Sequence, residues 1–218
     1  METLIVGVLS VGVGLLAKVR DRDSWAADGA DLGLEFSDRI IGRKKMHGRR
    51  RGFEVVIQDT MEGNRHRRVK VEVLGVDPGF SLHRKGALRR LGPRGGERRF
   101  EIGDDDFDER IRVEGDGVRA RALLGPELRR RVQRLVDRGK GEVAEGAVRC
   151  YGNGIQEVKA QLEPMLDLAE RLRRPGQAEL PALLAERCLD DDGPEVRRGA
   201  IRQLATSFPT REETRTTA

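Results

Sequence analysis

Two cysteines in 218 residues, Cys150 and Cys188, exclude a disulfide scaffold and a four-cysteine zinc site. Aromatic residues are scarce at 4%, so Val, Leu and Ile must fill any core. Lysine is scarce too: seven of the 42 basic residues are Lys, and the other 35 are Arg. The three histidines, His47, His66 and His83, stand far apart, and nothing in the sequence gathers them. The chain has no G-x-S-x-G, H-E-x-x-H or Walker loop. Gly7, Gly12 and Gly14 lack the spacing of a dinucleotide-binding loop. These absences argue against a familiar catalyst, so the expectation is no enzyme activity, no cofactor and no metal site. A disordered chain of one dominant charge is excluded as well. The charged fraction is 36%, but 42 Lys+Arg against 37 Asp+Glu leave only +5, and apolar periodicity is clear.

One long apolar run is present. Residues Thr3 to Ala17 carry no charge. That is short of the ~17–25 residues of a spanning helix, but Met1 extends the run and Lys18 can snorkel. Glu2 in place of a basic leader argues against a cleaved signal peptide. The expectation is an N-terminal membrane-anchor helix over 1–18, with a buried strand or core helix as the alternative. Lys18, Arg20 and Arg22 then place the body in the cytoplasm. A soluble cytoplasmic protein is the alternative.

Beyond the run, residues 18–36 read as an amphipathic helix carrying Trp25, a core residue by default. Period-two alternation follows in Phe53–Ile57, Val69–Val73, Phe80–His83, Phe100–Ile102 and Ile111–Glu114. Short Gly- and Asp-rich connections favour antiparallel pairing. Gly48 and Gly52 bracket Arg49-Arg50-Arg51 as a hairpin tip. A helix starts at Pro126, with Leu128, Val132, Leu135 and Val136 on one face and Gly139 at its end. Glu142 to Cys150 reads as a strand and Ile155 to Leu172 as a helix that Pro164 kinks or restarts. Leu180–Leu189 and Glu195–Thr206 form a helix pair. The expected fold is therefore α+β: a mostly antiparallel sheet with packed helices over 19–176, a helical hairpin over 177–208 and a polar tail over 209–218. Cys150 in its strand and Cys188 on an apolar helix side read as buried structural thiols.

The segment Asp190-Asp191-Asp192-Gly193-Pro194-Glu195-Val196-Arg197-Arg198-Gly199-Ala200-Ile201-Arg202-Gln203-Leu204 resembles the turn and second helix of a HEAT repeat. An acidic turn and a proline start the helix, and Val196, Ala200, Ile201 and Leu204 form one apolar stripe. Gly199 departs from the commoner Ala and weakens the helix by ~1 kcal/mol. A single repeat cannot bury both faces, so it must pack on the preceding domain, begin an array or meet a partner. A second segment, Gly103 to Asp116, resembles a motif of bacterial membrane-anchored proteins of unknown function. Those join a short apolar helix, a small β-rich domain and, in some, HEAT repeats. The resemblance implies a non-catalytic scaffold or protein-interaction module and transfers no catalytic residue. The exposed part of the helix pair, Glu195, Arg198 and Arg202, is the expected partner surface.

Two other features invite ligands. Starting a calcium loop at Asp104 puts Glu109 at the sixth position and Gly115 at the twelfth, where Gly and Glu belong. The acidic run is instead read as a solvated turn entering a strand. Gly152-Asn153-Gly154 reads as a positive-φ turn rather than an anion cradle. The rival function is electrostatic. Residues 39–99 hold 18 Lys/Arg and 6 Asp/Glu, a net of +12 against −7 elsewhere. Arg49, Arg50 and Arg51 with Arg65, Arg67 and Arg68 are its densest spots. They suit an anionic membrane surface or, with less support, nucleic acid.

Overall fold

The computed structural model describes residues 21–39, 43–62, 66–85, 99–173 and 179–208. The apolar run 3–17, Arg65 and the tail 209–218 lie outside them. Among the described residues no helix is long and apolar enough to cross a membrane.

The fold is α+β, built on one nine-stranded antiparallel sheet. In chain order its elements are α1 (21–32), β1 (Glu35–Arg39), β2 (Arg43–Arg50), β3 (Phe53–Glu62), β4 (His66–Leu74) and β5 (Phe80–Arg84). Then come β6 (Arg99–Phe100), α2 (Asp105–Arg110), β7 (Ile111–Gly115), α3 (Gly117–Leu123) and α4 (Pro126–Gly139). The chain continues with β8 (Glu142–Ala144), β9 (Ala147–Gly152), α5 (Ile155–Arg171), α6 (Leu180–Asp190) and α7 (Pro194–Ser207). The strand order is β1-β2-β3-β4-β9-β8-β5-β7-β6.

Alternation does what it should. Val55 and Ile57 of β3, Val69, Val71 and Val73 of β4, and Val148 and Cys150 of β9 turn to one face. There they meet Val158, Leu162, Met165, Leu166 and Ala169, which recur on α5 at helical spacing. α4 packs beside α5, and Trp25 of α1 joins the same core. Lys44 stands over the Trp25 ring, 5.4 Å from its centroid.

Several expectations need correction. The β2–β3 turn is Arg51-Gly52, both at positive φ, as a two-residue hairpin requires. Gly48 is a strand residue paired with Val55. Residues 142–150 are not one strand but a second tight hairpin, β8–β9, turning on Glu145-Gly146 in the same way. α4 keeps Gly139 as its last residue and leaves the left-handed position to Lys140. α5 runs unbroken through Pro164. The acidic run folds as α2, with Asp104 as N-cap accepting from the Phe107 N–H. Gly152, Asn153 and Gly154 have no positive φ. The Asn153 N–H donates to Glu157 Oε2 (2.8 Å), so the chain's own carboxylate fills the place offered to an anion.

The α6–α7 pair docks on α3. Ala122, Leu180, Leu184 and Ala200 form a small second core, flanked by Leu204 and Cys188, while Val196 reaches the main core. Ile201 does not share the stripe. It sits one residue past Ala200, rotated by about 100°, and is 55% exposed.

Candidate functional site

The acidic turn of the helix pair is anchored by a buried arginine. Arg129, 3% exposed, projects from the first turns of α4. Its guanidinium forks onto Asp191 (Nη1–Oδ2 2.8 Å, Nη2–Oδ1 3.0 Å), which is 1% exposed. Nε donates to Asp104 Oδ2 at 2.7 Å, and Nη1 also donates to the Leu124 carbonyl. Burial alone raises the Asp191 carboxyl. The hydrogen bonds from Arg129 and the Gly193 N–H outweigh it and hold the group below its ordinary range. Arg129 therefore ties the N-cap of α2 and the entry of α7 to one group.

Between α2 and α7 lies a cleft of about 590 Å³. Glu195, Arg198 and Arg202 line its α7 wall together. Their spacing of three and four puts them on one exposed helix face. The expected partner surface is thus one continuous wall, with Arg198 paired to Glu195. Asp105, Asp108 and Glu109 of α2 and Glu101 form the facing side, and Lys85 and Arg121 complete the lining.

The floor is held by main-chain bonds. Asp108 accepts from the N–H groups of Ile102 (3.0 Å) and Gly103 (2.7 Å). Burial pushes its carboxyl up, with Glu101 and Asp104 adding to that, while the two N–H groups pull it down. Arg121 donates to the carbonyls of Glu101 (2.7 Å) and Ile102 (3.0 Å). Burial lowers its affinity for the proton; Asp108 raises it again, and Arg202 lowers it. Gly199 is what admits this guanidinium, because a Cβ there would collide with Arg121 Nη1. The departure from Ala makes room. Gly103, at φ +100°, lies close against α7: a Cβ would lie 2.9 Å from the Glu195 carbonyl carbon.

The basic clusters are not brought together. Arg49–Arg51 sit beside the Phe53 end of β3, while Arg67 and Arg68 pair with Met61 and Thr60 near its other end, about 25 Å away at ~3.3 Å per residue. Arg51 binds Glu163 (2.7 Å) and Asp167 (2.6 Å) of α5, and Arg50 binds Glu163 (3.0 Å). Two of the expected anion-binding residues are therefore neutralised by the chain's own carboxylates. Arg49 is exposed opposite Glu54, Arg68 is half-buried in β4, and Arg67 lies in the same strand. We expect Arg51→Glu to lower Tm slightly, with high salt shrinking the loss, and Arg49→Glu to leave Tm unchanged.

His47 and His83 do not converge. His47 lies in β2 and His83 in β5, five strand positions or about 24 Å apart. His83 is not a surface residue. It is 6% exposed, with Nδ1 3.2 Å from Glu142 Oε2. Cys150 is buried, and burial pushes its thiol up to about 11. Cys188 is half-buried. With a maleimide at pH 8, one thiol, Cys188, labels in the native protein and two label in guanidinium. Native labelling of Cys150 contradicts this.

No protein-family model and no curated protein matches the chain. Among solved structures, it is similar to the crystal structure of the mycobacterial trehalose monomycolate transport factor A, TtfA. Identity is 15% and the TM-score 0.47, over 72% of this chain and 96% of that chain.

Proposed function

We propose that the protein is a non-catalytic interaction module, whose protein partner engages the outer face of the α6–α7 hairpin. One observation carries this. The two large apolar side chains exposed among the described residues, Leu189 (80%) and Ile201 (55%), belong to that hairpin, whose polar face also forms a wall of the charged cleft. The hairpin is a HEAT-like unit, with one face spent on α3 and the other open, and the run 3–17 anchors the chain to a membrane.

The test is quantitative capture from native membranes. We expect proteins retained by the wild type to be lost with Leu189→Asp/Ile201→Asp and with Arg198→Glu, and kept with Arg49→Glu. Capture indifferent to the hairpin substitutions, or lost equally with Arg49→Glu, overturns the reading. Full-length protein that fractionates as soluble without detergent removes the anchor.

A further inference from the structure

The cleft holds charge of both signs that makes no ion pair among the described residues. Arg121 and Arg202 each lack a carboxylate within ion-pair distance among the described residues. Arg121 donates its hydrogen bonds to carbonyls and packs on Gly199, and Arg202 follows one helical turn after that glycine. Two guanidinium groups therefore border the same space, and Asp108, whose charge reaches Arg121, is spent on the Ile102 and Gly103 N–H groups and makes an ion pair with neither. On the other wall Asp105 and Glu109 are exposed, one turn apart on α2, and likewise unpaired among the described residues. Arg202 repels Arg121, and Asp105 and Glu109 are like charges one helical turn apart. An occupant carrying both signs relieves both walls at once.

We propose that this cleft receives a peptide segment of the protein partner in which an acidic and a basic side chain lie close together. The acid seats on Arg121 and Arg202, the base on Asp105 and Glu109. This rests on the interaction-module reading and names the segment that the module selects. The charge balance decides against a polyanion: four basic side chains line the cleft against five acidic ones, so nucleic acid or an anionic membrane would meet the α2 carboxylates. The volume lies within the ~300–1,000 Å³ of ligand clefts, enough for a few residues. The walls are also preorganised, since Arg129 binds both Asp104, the N-cap of α2, and Asp191, in the turn that leads into α7.

The experiment titrates full-length protein with three capped pentapeptides, acetyl-AEAKA-amide, acetyl-AEAEA-amide and acetyl-AKAKA-amide. The readout is the Nε–Hε NMR signals of arginine. The mixed peptide is expected to shift Arg121 and Arg202 and to bind at least fivefold tighter than either single-sign peptide. Arg121→Gln, and separately Asp105→Asn/Glu109→Gln on exposed positions that carry no packing, should each weaken it fivefold or more. The proposal is overturned if the mixed peptide does not bind, if a single-sign peptide binds as well, or if both variants keep full affinity. Capture that depends on Leu189 and Ile201 while the peptide arms fail leaves the interaction module standing without this specificity.

Discussion

Replacing Asp191 by alanine is expected to cost about 3 kcal/mol or more, because it strips the buried Arg129 guanidinium of its two-pronged partner and leaves it Asp104 and the Leu124 carbonyl alone. In a chain of this size that is a fall in Tm of roughly 6 °C or more. The double variant Arg129→Met/Asp191→Leu should recover much of the loss, since it removes both charges together. The pH dependence follows from the sign of the shift. The Asp191 carboxyl titrates lower in the folded chain than the ordinary value of 3.8, so its contribution is fully present above that value. It is lost as pH falls through the depressed range. Asp191→Ala should therefore flatten the acid limb of the stability profile. A cost below about 1 kcal/mol, or an unchanged acid limb, refutes the role given to the pair.

Gly103→Ala is expected to be the second large effect, about 2–4 kcal/mol. A φ of +100° strains any L side chain, and the added carbon meets the main chain of Glu195 and Val196, which cannot swing aside like a side-chain end. Gly52→Asn is the matched control. Its φ of +81° suits asparagine in a hairpin turn, and nothing lies within 4 Å. We expect it to cost well under half as much by chemical denaturation. Equal losses would mean that backbone conformation, and not contact with α7, governs Gly103. Limited proteolysis separates the two further: Gly103→Ala should expose 179–208 to cleavage, and Gly52→Asn should not.

Much of the sheet was legible because its strands alternate. Val69-Lys70-Val71-Glu72-Val73 announces one buried face, and β4 shows that face. β2 was not, since Met46 is the one fully buried side chain among those described in it and its neighbours are basic or glycine. Helical spacing alone brings Glu195, Arg198 and Arg202 together as a partner surface. The opposite wall leaves no such trace, because six residues of α2 are too few to display a period. Arg129 does carry a signal in the sequence. It stands among Leu128, Val132 and Val136 on the apolar face of α4, where a charge needs a buried counterpart. The counterpart lies 62 residues away, one of three consecutive aspartates, and only folding singles out Asp191.

The bonds from Arg129 to both Asp104 and Asp191 link occupancy to folding by mass action. An occupant that bridges α2 and α7 holds together the elements that Arg129 joins, and the unfolded chain offers it no such cleft. Its binding must therefore raise the melting temperature, by about 2.7 kcal/mol of added stability when it is present at a hundredfold its Kd. Arg129→Met should weaken that ligand and shrink the thermal shift in proportion, though its side chain never touches the occupant. A melting curve read against candidate peptides thus becomes a screen that can find the partner's segment before the partner itself is identified.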